Sequence, residues 1–154
     1  MPEQDAISLL KADHKKVKAL LEELEKTTER GAKKRVALLA RIETELTVHT
    51  SIEETIFYPA FRDAVTKRDD REMYFEALEE HHVVKLVLPE IKATDPSSEP
   101  FAAKAKVLKE LVTHHAKEEE REMFPEARKV LDKDELLELG ARMAAKKKQL
   151  LGGR

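Results

Sequence analysis

The phrase His49-x3-Glu53-x5-Pro59 returns 66 residues later as His115-x3-Glu119-x5-Pro125, and each copy joins an imidazole to a carboxylate four positions on. Residues four apart share a helix face, so each pair can aim one nitrogen and one oxygen at a single point. That is metal-ligand chemistry. The hydrophobic pairs before the prolines, Phe57-Tyr58 and Met123-Phe124, correspond as well. A lone histidine precedes each phrase, His14 by 35 residues and His81 by 34. After these histidines Val17 matches Val84, Lys18 matches Lys85, Leu21 matches Leu88, Glu23 matches Glu90 and Leu24 matches Ile91. Two copies are too few for a solenoid but suit two helix pairs closing on each other.

The four histidines belong at one depth. His14 and His49 flank the Gly31 turn at about 16 and 18 residues, roughly 24 and 27 Å along a helix. His81 and His115 flank a loop near Pro96 and Ser97 at roughly 15 and 18 residues. A site with four imidazoles and two carboxylates accommodates two metals with the carboxylates bridging. A histidine on a helix is usually a surface or satisfied core group, and an exposed His–Glu pair needs no metal. Burying this many polar groups on apolar stripes without one would carry a large desolvation cost, which favours the metal reading. Glu54, Glu118 and Glu120 are expected to be solvated or outer neighbours of the ligands. Members of the doublets His81-His82 and His114-His115 point about 100° apart, so one of each is selected. The match between halves selects His81 and His115, leaving His82 and His114 as outer or surface groups. His82 has the alternative of joining Phe75, Leu78 and Leu86 on a second apolar face.

The 154 residues are the size of one domain, 39% charged with a net charge of −2. Mixed signs without an extended basic footprint argue against nucleic acid as a partner. Lys146, Lys147 and Lys148 read as a solvated helix end where positive charge suits the dipole. No run approaches a membrane span and the N-terminus lacks a signal-peptide pattern, so the expected location is the cytoplasm. With no cysteine, any metal site must use nitrogen and oxygen donors.

Few glycines and abundant Ala, Leu, Glu and Lys predict an all-α chain, an up-down-up-down four-helix bundle with a short C-terminal fifth helix. One domain is expected over residues 1–154, with the bundle core at about 4–130 and the last helix at about 133–150. The first helix should cover about 4–29. The second, about 33–65, should turn Val36, Leu39, Ile42, Leu46, His49 and Glu53 inward, with a kink or break at Pro59. The third should run from 69 or 70 to 93 with Tyr74, Ala77, His81, Val84, Leu88 and Ile91 inward and a bend at Pro89. The fourth, about 100–130, should present Phe101, Ala105, Leu108, His115 and Glu119 before Pro125 disturbs its end. Asp132 and Glu135 have capping-box form, and Leu136, Leu139 and Met143 give the fifth helix a stripe for covering the bundle.

His14, His49-x3-Glu53 leading to Phe57-Tyr58-Pro59, Glu80-His81, and His115-x3-Glu119 leading to Phe124-Pro125 together resemble the hemerythrin-like, His-His-Glu cation-binding family over about residues 5–130. The resemblance implies two non-haem iron ions joined by an oxo or hydroxo group and two carboxylates, with His14, His49, Glu53, His81, His115 and Glu119 as ligands. Oxygen-carrying members have a further histidine where this chain has Lys85. Water, Tyr58, Tyr74 or Glu54 are the alternatives for that donor. The resemblance implies dioxygen, hydrogen peroxide or nitric oxide as partners. It leaves two functions open: catalase-like or oxygen-reactive turnover, and reversible binding or sensing of oxygen, nitric oxide or iron. A monomer or weak homodimer is expected.

Overall fold

The computed structural model describes residues 4–152. They form helices and turns, with no strand among the described residues. Helix α1 (Ala6–Glu25) starts at Asp5, whose carboxylate accepts the Ser8 amide at 2.7 Å, and presents Ile7, Leu10, Val17, Leu21 and Leu24 to the core. It ends four residues before the expected boundary, and a short 3-10 turn at Glu29–Gly31 leads into α2 (Ala32–Ile52).

The prolines do not break the long helices. A π turn at Glu53–Phe57 joins α2 to α3 (Tyr58–Ala64), and another at Glu119–Met123 joins α5 (Glu99–Glu118) to α6 (Phe124–Val130). The Tyr58 amide reaches back to the Glu53 carbonyl and the Phe124 amide to that of Glu119, each five residues earlier. One wide turn thus absorbs the missing proline N–H and keeps the chain helical. Both π turns begin at the carboxylate of a His-x3-Glu pair.

Helix α4 (Arg68–Lys92) continues through Pro89. On its other apolar face Leu78 packs partly against the core, but Phe75 and Leu86 are 59% and 57% exposed and His82 is exposed with them, so His82 does not join a second packed face. One inward assignment on α2 also fails. Val36 is 55% exposed and its neighbour Arg35 is buried. The Arg35 guanidinium donates to the carbonyls of Pro96 and Thr27 and lies 5.2 Å from the Phe101 ring centroid, so it ties both turns at that end of the bundle together.

Helices α1, α2, α4 and α5 form a ring of neighbours, α1 meeting α2 on one side and α5 on the other. The core divides along the bundle. One apolar cluster holds Val17, Leu21, Ile42, Val84, Ile91 and Leu108. The other holds Ile7, Leu10, Phe57, Phe61, Phe124 and Met143. Helix α7 (Lys133–Gly152) covers the second cluster with Leu136, Leu139 and Met143. Its start is a reciprocal capping box, the Asp132 amide donating to the Glu135 carboxylate and the Glu135 amide to Asp132.

The lysines of α7 correct the expectation of a merely solvated end. Lys147 donates to the buried Asp13 carboxylate and Lys146 to Thr55 Oγ1 at 3.0 Å. The crossing with α1 is close, because a Cβ at Gly140 would stand 2.3 Å from the Gln4 carbonyl oxygen. Backbone cannot give way there. Replacing Gly140 with Ala is therefore expected to destabilise the fold by ~1–3 kcal/mol. Chemical denaturation checks this, and unchanged stability would show that α7 docks loosely.

Candidate metal centre

The six residues singled out by the repeat meet between the two apolar clusters. His49, Glu53, His81, His115 and Glu119 are buried. His14 on α1 completes the group, with its side chain 8% exposed. Donor atoms of His14, His49, Glu53 and Glu119 lie within 4.8 Å of one another, and so do those of Glu53, His81 and His115. Glu53 belongs to both sets. Its Oε1 stands 3.0 Å from His49 Nε2 and 3.1 Å from His81 Nε2, while Glu119 Oε1 stands 3.0 Å from His14 Nε2 and 3.4 Å from His115 Nε2. Each carboxylate therefore spans imidazoles from both halves of the chain.

The outer nitrogens are equally ordered. His49 Nδ1 meets Asp13 at 2.9 Å, His81 Nδ1 meets Glu54 at 2.8 Å, His115 Nδ1 meets Glu80 at 2.6 Å and His14 Nδ1 meets Glu120 at 2.8 Å. An ionised carboxylate only accepts, so each Nδ1 carries the donated proton and each Nε2 is turned inward. Carboxylates that orient histidines in this way fix the ring and raise its basicity as a ligand. The four contacts form a closed circuit: α1 supports α2, α2 with its π turn supports α4, α4 supports α5, and the π turn after α5 supports α1.

Glu54 and Glu120 thus occupy the outer role expected of them. Asp13 and Glu80 were not assigned that role from the sequence. Their signal was present in the repeat, since each stands immediately before a lone histidine, but its partner lies on the next helix. Glu118 belongs to a separate surface group with Glu80 and His114. Burial and the Glu80 carboxylate push the Glu118 carboxyl up to about 7. His114 is 64% exposed and meets Glu118 at 3.1 Å, consistent with its placement outside the buried cluster.

Three side chains were alternatives for the position left by Lys85. Lys85 itself is outside, 53% exposed and paired with Glu54 at 2.9 Å. Glu54 faces the outer nitrogen of His81, and Tyr74 packs edge-on against Tyr58 with ring centroids 6.2 Å apart. Tyr58 is the one brought to the centre. Its hydroxyl donates to Glu119 Oε2 at 2.6 Å and lies 3.2 and 3.3 Å from the Nε2 atoms of His81 and His115. Burial, with the carboxylates of Glu119 and Glu53, holds the phenol well above its ordinary range, so it keeps its proton. The corresponding residue in the other half is Phe124, which stacks on His14 with centroids 5.9 Å apart.

Charge balance bears directly on metal fit. Burial lowers the basicity of His49, but Glu53 and the hydrogen bond to Asp13 overrule it and lift its pKa to about 10. Burial likewise opposes charge on His115, yet Glu119, Glu53 and Glu80 hold it well above its ordinary value. Without a cation, protons must therefore neutralise the buried carboxylates. Within the inner cluster two buried atoms still lack hydrogen-bond partners, His49 Nε2 and Glu53 Oε2. Imidazole nitrogens and carboxylate oxygens with unmet bonding capacity suit a divalent or trivalent transition metal.

Residues 5–127 match the model of the hemerythrin HHE cation-binding domain. The chain belongs to that family. Among solved structures, this hemerythrin-like chain is similar to an HHE cation-binding domain-containing protein from Mycobacterium kansasii, with a TM-score of 0.84 and 30% identity, covering 97% of this chain and 89% of the other. It is also 30% identical over 148 residues to a DNA nickase from Nostoc sp. (strain PCC 7120 / SAG 25.82 / UTEX 2576). The match takes in 94% of this chain but spans only 40% of that relative. The fold is the helical bundle of hemerythrin-like domains, with a His/Glu cluster suited to a cation. No helix among the described residues is long and apolar enough to cross a membrane.

Two predictions follow from this hemerythrin-like centre. His115→Ala should lower bound transition metal far more than His114→Ala, read by elemental analysis after anaerobic iron loading, and equal losses would reject the assignment of the doublet. The second concerns pH. The raised His49 pKa contributes stability that is complete below the ordinary imidazole value of 6.5 and is lost as pH rises through about 10. Metal-free protein should therefore lose thermal stability from pH 6.5 toward pH 10, and metal-loaded protein much less. Identical alkaline profiles for the two forms would contradict proton-for-metal exchange.

Proposed function

We propose that the protein is a non-haem di-iron protein that reacts with hydrogen peroxide or dioxygen, with catalase-like turnover of peroxide as the leading activity. One observation carries this reading: two metal-sized donor sets share Glu53 and adjoin through Glu119. His14 and His49 would serve one ion, His81 and His115 the other, and the two glutamates both. Two irons would supply the paired one-electron changes needed to convert two hydrogen peroxide molecules into two waters and one dioxygen.

The protein groups suit a small reactant. A cavity of about 30 Å³ borders His14, His49, His81 and His115 and is closed by Val17, Leu46, Val84 and Val112. That volume suits a molecule of about two heavy atoms, since one water needs roughly 10–15 Å³ on the same measure. Aliphatic walls exclude bulk water and lower the local dielectric, which strengthens the fixed charges around the reactant. Tyr58 holds a proton at Oη within 2.6 Å of Glu119 Oε2. Peroxide disproportionation requires protons to move between oxygen atoms, and this pair can hold one beside the centre.

Oxygen evolution from hydrogen peroxide by the iron-loaded protein tests the proposal, with metal content determined on the same sample. Turnover should depend on iron loading and fall at least tenfold in His115→Ala, while Tyr58→Phe should lower the rate without removing iron. A reversible oxygen adduct with no oxygen evolution would replace this reading with that of a binding or sensing module.

A further inference from the structure

Outside the centre, α1 and α5 enclose a groove of about 600 Å³ lined by Lys11, Lys15, Lys18, Lys117 and Arg121. The lysines at 11, 15 and 18 recur at four and three residues on one face of α1, while Lys117 stands at the end of α5 and Arg121 in the π turn that follows it. All five are exposed and none has an ion-pair partner among the described residues. Glu120 is the single acid in the lining, and it is engaged with His14 Nδ1. Five unneutralised cations facing one concavity, on a chain whose net charge is −2, concentrate anions locally.

The groove and the central cavity share a wall. His14, Val112 and Ala116 line both. Thr113 stands in the groove lining, and its buried hydroxyl has no hydrogen-bond partner. A basic groove over nucleic acid would be an extended surface, whereas this one ends against a cavity of about 30 Å³. An occupant that uses both must be small as well as negatively charged.

We propose that the α1–α5 groove is the entrance for small monoanions of two or three heavy atoms, a class that includes superoxide, hydroperoxide and nitrite. Lys11, Lys15, Lys18, Lys117 and Arg121 draw the anion in, and the Thr113 hydroxyl offers it a donor beside the wall formed by His14, Val112 and Ala116. Neutral molecules of the same size gain nothing from the cations. The groove therefore speeds the arrival of anions without barring neutral molecules. This inference rests on the reading of the centre as reactive toward small oxygen species, and it adds their anions to the neutral hydrogen peroxide and dioxygen.

Azide serves as the probe, and the variant Lys15→Gln/Lys18→Gln/Lys117→Gln is compared with a control of equal charge change at the exposed Lys26, Lys33 and Lys133. In metal-free protein, azide should shift the amide resonances of Val112, Thr113 and Ala116, and only the groove variant should abolish the shifts. In iron-loaded protein, azide association should slow roughly tenfold in the groove variant and with added salt, while nitric oxide association stays unchanged. Equal effects of the two triple variants, or a parallel fall for azide and nitric oxide, would overturn the proposal. So would a single-stranded oligonucleotide that occupies the groove while azide fails to compete. Failure to load iron would count against the di-iron reading alone, because the metal-free titration still decides the groove.

Discussion

Four imidazoles placed in the interior of a helical bundle bring eight ring nitrogens that must all find partners, and this requirement organises the molecule. Four outer nitrogens are met by Asp13, Glu54, Glu80 and Glu120, leaving the other four to converge. An unpartnered buried polar group costs on the order of 1–3 kcal/mol, so the outer acids decide whether such a core is tolerable. They also decide its geometry. Because every outer contact joins neighbouring helices, satisfying the hydrogen bonds and setting the positions of α1, α2, α4 and α5 are the same event.

The polar layer divides the apolar core, and each part performs separate work. Beyond it, aliphatic residues from Val17 to Leu108 hold the helix pairs together near their turns. On the other side, the π turns, the aromatic rings and α7 make a lid of larger side chains. Helix α7 follows the stretch matched by the family model, yet it reaches the outer layer through Lys147 and Asp13. It therefore contributes charge as well as cover.

The inner residues were legible because repetition exposed them: His14 and His81, then His49 with Glu53 and His115 with Glu119, recur in type and spacing. Helical periodicity then placed them at one depth. The outer acids were harder to read because each bonds across to a helix distant in sequence, where local spacing carries no information. Pro59 and Pro125 signalled a disturbance, but a missing N–H is compatible with a break, a kink or a wide turn. Only the packing around Glu53 and Glu119 distinguishes these. Arg35 escaped for the opposite reason. Its type suggests surface, and its burial depends on carbonyls from two turns that the chain brings together only when folded.

The circuit of outer carboxylates has two kinds of link. Asp13 to His49 and Glu80 to His115 lie within a helix pair, whereas Glu54 to His81 and Glu120 to His14 pass between pairs, one in each direction. That reciprocity is the signature of an isologous contact, the kind a two-helix unit makes with its own copy. The single chain therefore carries the bonding plan of a two-fold pair while leaving its halves free to differ. Tyr58 and Phe124 use that freedom at equivalent positions: one ring brings a hydroxyl to the centre and the other brings none. Joining both halves in one chain permits two chemically unequal ends to a site whose scaffold is nearly symmetric.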